Sequence, residues 1–358
     1  MRIVSVVGTR PNFMKLAPLH RALCLRSSVA HVIVHTGQHY DYDMSASFFT
    51  DLGIPEPNVN LGVGSGSPVE QIGVSMLRLE KILTDQKPDR VLVYGDVNST
   101  LAAALVAAKL RIPVAHVEAG LRSRDWTMPE ELNRVLTDRL ADVLFTPSRD
   151  ADDNLLAEGI PASRIRFVGN IMIDSLVHAL PRARAAGAAK RRGLGPGEYV
   201  LVTLHRPSNV DQPETLRYLM KTLAGIGAER PVLFPVHPRT RSRIDMLRNR
   251  PAENGKLKLL EPLGYIEMLS LVADAGLVIT DSGGLQEETS FLGVPCLTVR
   301  PNTERPVTIT QGTNRLVTSA EQLPDAVQSA WRAGRRASKI ELWDGKTGER
   351  IVAALCGR

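Results

Sequence analysis

Short, almost wholly apolar runs punctuate the chain from end to end, separated by longer stretches whose apolar residues recur at helical spacing. In the first half the apolar runs fall at 3–7, 29–35, 90–94, 114–117, 143–146 and 166–168, with amphipathic stretches at 14–25, 69–85 and 100–109 between them. The alternation predicts βαβ units and a parallel, doubly wound sheet. After an Ala- and Arg-rich segment at 169–193, closed by GLGPGE, the pattern resumes. Strands are expected at 199–204, 232–236, 257–260, 276–280 and 296–299, and helices at 213–228, 265–273, 285–292 and 320–332. A chain of 358 residues exceeds one typical core, so two α/β domains are expected, 1–170 and 171–343.

Composition narrows the function more than the fold. The net charge of +6 invites a polyanion, yet the basic residues are scattered, densest at 182–192 and 239–250, and no nucleic-acid motif accompanies them. The charge fits a small anionic ligand better than nucleic acid. Cys24, Cys296 and Cys356 form no CxxC pair, which argues against a disulfide framework or thiolate zinc site and fits a reducing cytosol. The opening MRIVSVVGTRP reads as a strand entering a turn, not a signal peptide. No apolar run approaches the roughly 20 residues that span a bilayer. His31 and His35, four apart on an expected strand, are poorly placed as a metal pair.

Candidate chemistry concentrates at 91–134. Asp96 closes the run VLVYG, Glu118 sits inside PVAHVEAG, and Glu130 follows Pro129 at an expected helix start. Parallel sheets deliver functional groups at the carboxyl ends of their strands, and carboxylates gathered there suit acid/base work. Such a cluster would raise at least one carboxyl pKa by mutual repulsion. GTRPNFMK follows the first strand; a helix N-terminus with Arg10 and Lys15 suits a phosphate, and a plain strand-to-helix turn is the alternative. DSGGLQEE offers a second diphosphate cradle from Ser282, Gly283 and Gly284, with Glu288 for sugar hydroxyls and Arg305 as a phosphate partner; a capping sequence is the alternative. His205 ends YVLVTLH, where it fits an acid/base, a phosphate donor or a structural loop residue. GVGSGS at 62–67 lacks the context of a dinucleotide fingerprint, and DGKTGE has Ile340 where a P-loop needs its first glycine.

The segments GTRPNFMK, TGQHYD, YGDVNSTLA, HVEAGLRS, PEELNR, GNIMIDS, TLHRPSN, FPVHPRT, TDSGGLQEE, TERPVT and GTNRLV occur in the order found in the non-hydrolysing UDP-N-acetylglucosamine 2-epimerase family, which the chain resembles from Met1 to about Val317. The resemblance implies a glycosyltransferase-B-like fold, two Rossmann-like domains whose parallel sheets face each other across a deep cleft. It also implies a C-terminal helix near 344–358 packing back on the first domain, and a homodimer. It implies interconversion of UDP-GlcNAc and UDP-ManNAc without a redox cofactor or metal, with Asp96, Glu118, Glu130 and His205 catalytic. UDP would be held by Arg10, Lys15, Ser282, Gly283, Gly284, Glu288 and Arg305. Gln38, His39, Arg206 and His237 match a second, activating UDP-GlcNAc site. The chain departs from the family pattern at HRPSN, at EPLGYIEML (Leu263 and Met268) and at Asp41. Three rival readings stay open on this scaffold: a UDP-sugar glycosyltransferase, a hydrolysing relative and a nucleotide-sugar sensor. Related enzymes also act on modified UDP-sugars.

Overall fold

A computed structural model describes residues 1–37, 49, 51–247 and 256–357. The chain divides into two compact units, Met1–His178 with Glu341–Arg358, and Ala179–Ile340.

In the first unit, the described strands are β1 (Arg2–Val7), β2 (Ala30–His35), β3 (Val59–Asn60), β4 (Arg90–Tyr94), β5 (Val114–Val117), β6 (Val143–Thr146) and β7 (Ile165–Phe167). They form one parallel sheet in the order β3-β2-β1-β4-β5-β6-β7. The helices Arg10–Cys24, Pro68–Gln86, Asn98–Lys109 and Pro129–Leu140 supply crossovers. Ser67 and Glu70 start the second of these with reciprocal hydrogen bonds, 3.2 and 2.8 Å, ahead of Pro68 at the first helical turn.

The second unit contains β8 (Val200–Thr203), β9 (Val232–Pro235), β10 (Leu257–Leu260), β11 (Leu277–Thr280), β12 (Cys296–Val299) and β13 (Asn314–Val317), ordered β10-β9-β8-β11-β12-β13. Its strands are apolar on both faces: Val200 and Val202 join one core cluster, Tyr199 and Leu201 another. Helices cover both sides of such a sheet, so its strands read as continuous apolar runs rather than alternations.

Two strands escaped the apolar pattern. β3 is two residues long, and β13 reads NRLV with exposed Arg315. Each lies at a sheet edge and pairs on one side only, where apolar residues are not demanded on every position. The expected helix at 320–332 divides into a 3₁₀ turn, Ala320–Gln322, and the helix Leu323–Ala333. The helix Thr347–Cys356 belongs to the first unit. Buried Asp174 accepts the backbone N–H of Thr347 and Gly348, at 3.1 and 2.7 Å, and Trp343 Nε1 donates to the Pro147 carbonyl at 2.9 Å.

Both sheets reverse winding direction once, between β1 and β4 and between β8 and β11. Open parallel sheets bind ligands at such switch points. GTRPNFMK and Asp96 follow the first pair of strands; His205 and DSGG follow the second.

Candidate functional site

Strands β4 and β5 run side by side, with Tyr94 opposite Val117. The chain then turns sharply after each. Gly95 has φ +61° and Glu118 has φ +71°. The left-handed conformation costs a side-chain-bearing residue energy and persists where its surroundings fix it. Here the amides of Glu118 and Ala119 both donate to the Phe145 carbonyl, at 3.1 and 3.0 Å. His116 bridges the two turns, one ring nitrogen 2.8 Å from the Gly95 carbonyl and the other 2.6 Å from Asp138 Oδ1. Asp138 also accepts Gly120 N (3.1 Å) and pairs with Arg122 (2.8 Å), which forks onto Glu158 at 2.7 and 2.8 Å. Burial alone would raise the Asp138 carboxyl, but His116 and Arg122 outweigh it and hold it below the ordinary aspartate value.

Within this frame Glu118 forms a buried ion pair with Lys15. A Cβ on Gly95 would lie 2.6 Å from Lys15 Nζ and 2.9 Å from Glu118 Oε2, so a side chain here would displace the pair, and the positive φ itself favours glycine. Asp96, the next residue, is half-buried and takes Arg134 Nε and Nη2 on Oδ2 at 2.9 and 2.6 Å. The structure therefore brings Asp96, Glu118 and Lys15 to one place. Each of the two carboxylates is paired with a cation. Glu130 stands exposed in the first turn of Pro129–Leu140. Its neighbour Glu131 is the buried one and accepts from Ser123 N, Ser123 Oγ, Arg124 N and Arg134 Nη1 at 2.6–2.9 Å. These donors outweigh burial and lower the Glu131 carboxyl.

The turn after β1 differs from a vacant anion cradle. Asn12 Oδ1 accepts the amides of Gly8 (3.0 Å) and Thr9 (3.3 Å), while its Nδ2 donates to the Tyr94 carbonyl at 2.8 Å. Asn12 thereby ties this turn to the end of β4. Arg10 is exposed at the helix start, whereas Lys15 is turned to Glu118.

In the second unit β8 and β11 pair with Thr203 opposite Thr280. Asp281 is fully buried and nearly saturated. It accepts His205 N at 2.9 Å, Arg206 N at 2.9 Å and Asn209 Nδ2 at 3.0 Å, and lies 2.9 Å from His205 Nδ1. Desolvation would raise this carboxyl, but the His205 and Asn209 bonds prevail and lower it. The His205 side chain is 52% exposed, so a buried carboxylate holds an outward imidazole. Arg206 Nε also donates to the Asp281 carbonyl at 3.0 Å. His237 is exposed and accepts Arg239 N at 3.3 Å. Gln38, His39 and Asp41 lie outside the described residues.

Ser282 precedes the helix Gly283–Leu292 without a side-chain capping bond, and Ser282, Gly283 and Gly284 are half-buried at its N-terminus. A Cβ on Gly283 would lie 2.6 Å from Arg305 Nη1. Arg305 itself is paired with Glu304 and, at 2.7 Å, with Glu287. Its charge is thus answered within the protein. Glu288 is buried and accepts Tyr265 Oη at 3.4 Å. Sequence reasoning missed Asn12, Glu131, Arg134, Asp138 and the partnership of Asp281 with His205. Of these only Asp281 carried a visible signal, as a strand-ending acid matching Asp96. Among the described residues no group of His, Cys, Asp and Glu is placed to hold a metal ion, and no helix is long and apolar enough to cross a membrane.

Carboxylates, a histidine and a glycine turn thus stand at the switch points of two parallel sheets, the place where α/β enzymes bind their ligands. The family model described as UDP-N-acetylglucosamine 2-epimerase matches residues 21–356, and the chain belongs to this family of isomerases. It is 44% identical to a structure of Methanocaldococcus jannaschii UDP-GlcNAc 2-epimerase in complex with UDP-GlcNAc and UDP, with 99% of each chain covered and a TM-score of 0.91. A Neisseria meningitidis UDP-GlcNAc 2-epimerase bound to UDP-GlcNAc is 28% identical, with all of both chains covered and a TM-score of 0.90. The UDP-2,3-diacetamido-2,3-dideoxy-D-glucuronate 2-epimerase of Pseudomonas aeruginosa is 43% identical over 327 residues, 90% of each chain.

Proposed function

We propose that the protein interconverts UDP-N-acetylglucosamine and UDP-N-acetylmannosamine by inverting C2. Family membership over nearly the whole chain supports the substrate class. The observation that carries the chemistry is the pair of carboxylates, Asp96 and Glu118, held beside one glycine turn at the ends of adjacent strands.

The C2 proton is not adjacent to a carbonyl carbon, so no enolate stabilises a carbanion there. Elimination avoids that intermediate. The C2–H bond breaks, its electron pair becomes the C1=C2 bond of 2-acetamidoglucal, and the C1–O pair leaves with UDP. Re-addition returns the UDP oxygen to C1 and a proton to the opposite face of C2. Asp96 and Glu130 act as the acid/base pair, with Glu118 orienting or sharing that role. His205, held at Nδ1 by Asp281, presents Nε2 to the departing phosphate. Arg10, Lys15, Ser282, Gly283, Gly284, Glu288 and Arg305 are assigned to UDP. Lys15 and Arg305 must then leave or share their present carboxylate partners. Arg206 and His237, with Gln38 and His39, are assigned to an activating site.

The likeness to the Pseudomonas aeruginosa enzyme favours a second reading, the same inversion on a diacetamido uronic acid. Incubation with each UDP-sugar in deuterated water, followed by NMR, tests both. Deuterium at C2 of a UDP-manno product supports the epimerase on that substrate. Release of free sugar indicates a hydrolysing enzyme, and no turnover of either sugar sinks the proposal.

A further inference from the structure

Arg134 lies one turn beyond Glu130 and is buried. Three of its nitrogens are engaged, and they face two different carboxylates. Nε and Nη2 meet one oxygen of Asp96, and Nη1 meets Glu131 Oε2 at 2.6 Å. Glu131 is in turn fixed by the backbone of Ser123 and Arg124. The neighbouring Asn133 donates to the Asp96 carbonyl at 2.8 Å and to Asn98 Oδ1 at 3.2 Å. The guanidinium is therefore anchored on its far side before it reaches Asp96. An arginine fork orients a carboxylate, and a nearby cation favours the ionised form over the acid.

We propose that Arg134 is a positioning residue that holds Asp96 as an oriented carboxylate, so that the resting enzyme begins a turnover with Asp96 as the proton acceptor. This rests on the reading of Asp96 as an acid/base at C2. The proton leaves C2 for Asp96, the C2–H pair forms C1=C2, and the C1–O pair departs with UDP. Glu131 is assigned the separate task of anchoring Arg134.

The pH profile of kcat/KM reports groups of the free enzyme. A base must be ionised, so activity falls as pH drops through its pKa, and removing the cation moves that fall to higher pH. In Arg134→Gln the acid limb is expected to move up by about 1–3 pH units, with kcat reduced more than KM is raised. Arg134→Lys, which keeps the charge without the fork, is expected to restore the limb while leaving kcat below the parent. Glu131→Gln, which removes the anchor but keeps the cation, is expected to lower the unfolding midpoint and to move the limb less than Arg134→Gln does. A folded Arg134→Gln protein with an unmoved limb overturns the proposal, as does an equal shift in Glu131→Gln. Should Arg134→Gln not fold, a parental kcat in Arg134→Lys overturns it instead. Asp96→Asn separates the two levels: normal turnover removes the reading of Asp96, whereas an inactive Asp96→Asn beside an unmoved Arg134→Gln limb removes the Arg134 inference alone.

Discussion

The carboxylate site of the first unit and the histidine site of the second occupy the same position in two similar sheets, yet their charges are layered in opposite order. After β4 the half-buried acid Asp96 stands in front of the buried cation Arg134, while Glu118 and Lys15 are buried together. After β8 and β11 the acid, Asp281, is buried, and the basic His205 stands forward. The support differs too. Asp281 is held by the backbone amides of His205 and Arg206, just beyond the strand, together with the side chains of Asn209 and His205. Glu118 and Asp96 depend on side chains reaching from distant helices. The switch point of a doubly wound sheet supplies a location; the group placed behind it decides which charge faces a ligand.

The largest expected effect tests the forward acids. Asp96→Asn and Glu130→Gln should each lower kcat by roughly 10²–10⁴, measured by NMR of C2 inversion. Near-parental rates in both would show that the forward layer of the first unit is not the reacting one. The next test removes the rear support. Asp138→Ala leaves His116 and Arg122 facing a buried gap, and breaking such a network should cost about 3–5 kcal/mol in urea unfolding. A cost below ~1 kcal/mol would mean that the turns of Gly95 and Glu118 hold without it. In the second unit, Gly283→Ala forces a Cβ against Arg305 and should cost about 1–3 kcal/mol, with UDP affinity falling in a calorimetric titration. Unchanged affinity would detach the glycine turn from nucleotide binding.

The smallest effect sharpens the rear-layer comparison by pH. Asp138, Glu131 and Asp281 are all lowered in the folded protein. A depressed folded pKa stabilises above the unfolded value and loses that contribution as pH falls through the folded one. Stability should therefore decline from the ordinary values of 3.8 and 4.5 downward, and little above them. Asp281→Asn should flatten the acid decline less than Asp138→Asn, because Asp281 faces His205 and neutral amides whereas Asp138 faces both His116 and the permanently charged Arg122. Equal flattening would erase the distinction drawn between the two supports.

Much of this was legible in the residues alone. Central strands had to be apolar on both faces, so β4, β5, β6 and β12 were readable to the residue. Asp96 and Glu118 were legible because an acid immediately after such a run has nowhere to go but the strand's end. What stayed hidden depends on contacts distant in sequence. Nothing local tells Glu130 from Glu131; only the loop at 122–125 coming to rest over one of them makes it the buried anchor. Arg134 meets its partner 38 residues away, a contact that no local pattern announces. Asn12 looked like an ordinary turn residue, and its bond to Tyr94 crosses 82 residues. Lys15 and Arg305 read as ligand groups because charge is visible in a sequence, whereas their pairing with Glu118 and with Glu287 and Glu304 is not.

The return of Thr347–Cys356 to the first unit has a consequence for biosynthesis. Residues 179–340 form a contiguous body, all of it translated before residue 347. The amino-terminal body, although translated first, still lacks the partners of Asp174 and Pro147 at that moment. The opening half of the first unit is therefore expected to remain unfinished until the helix Thr347–Cys356 has been made.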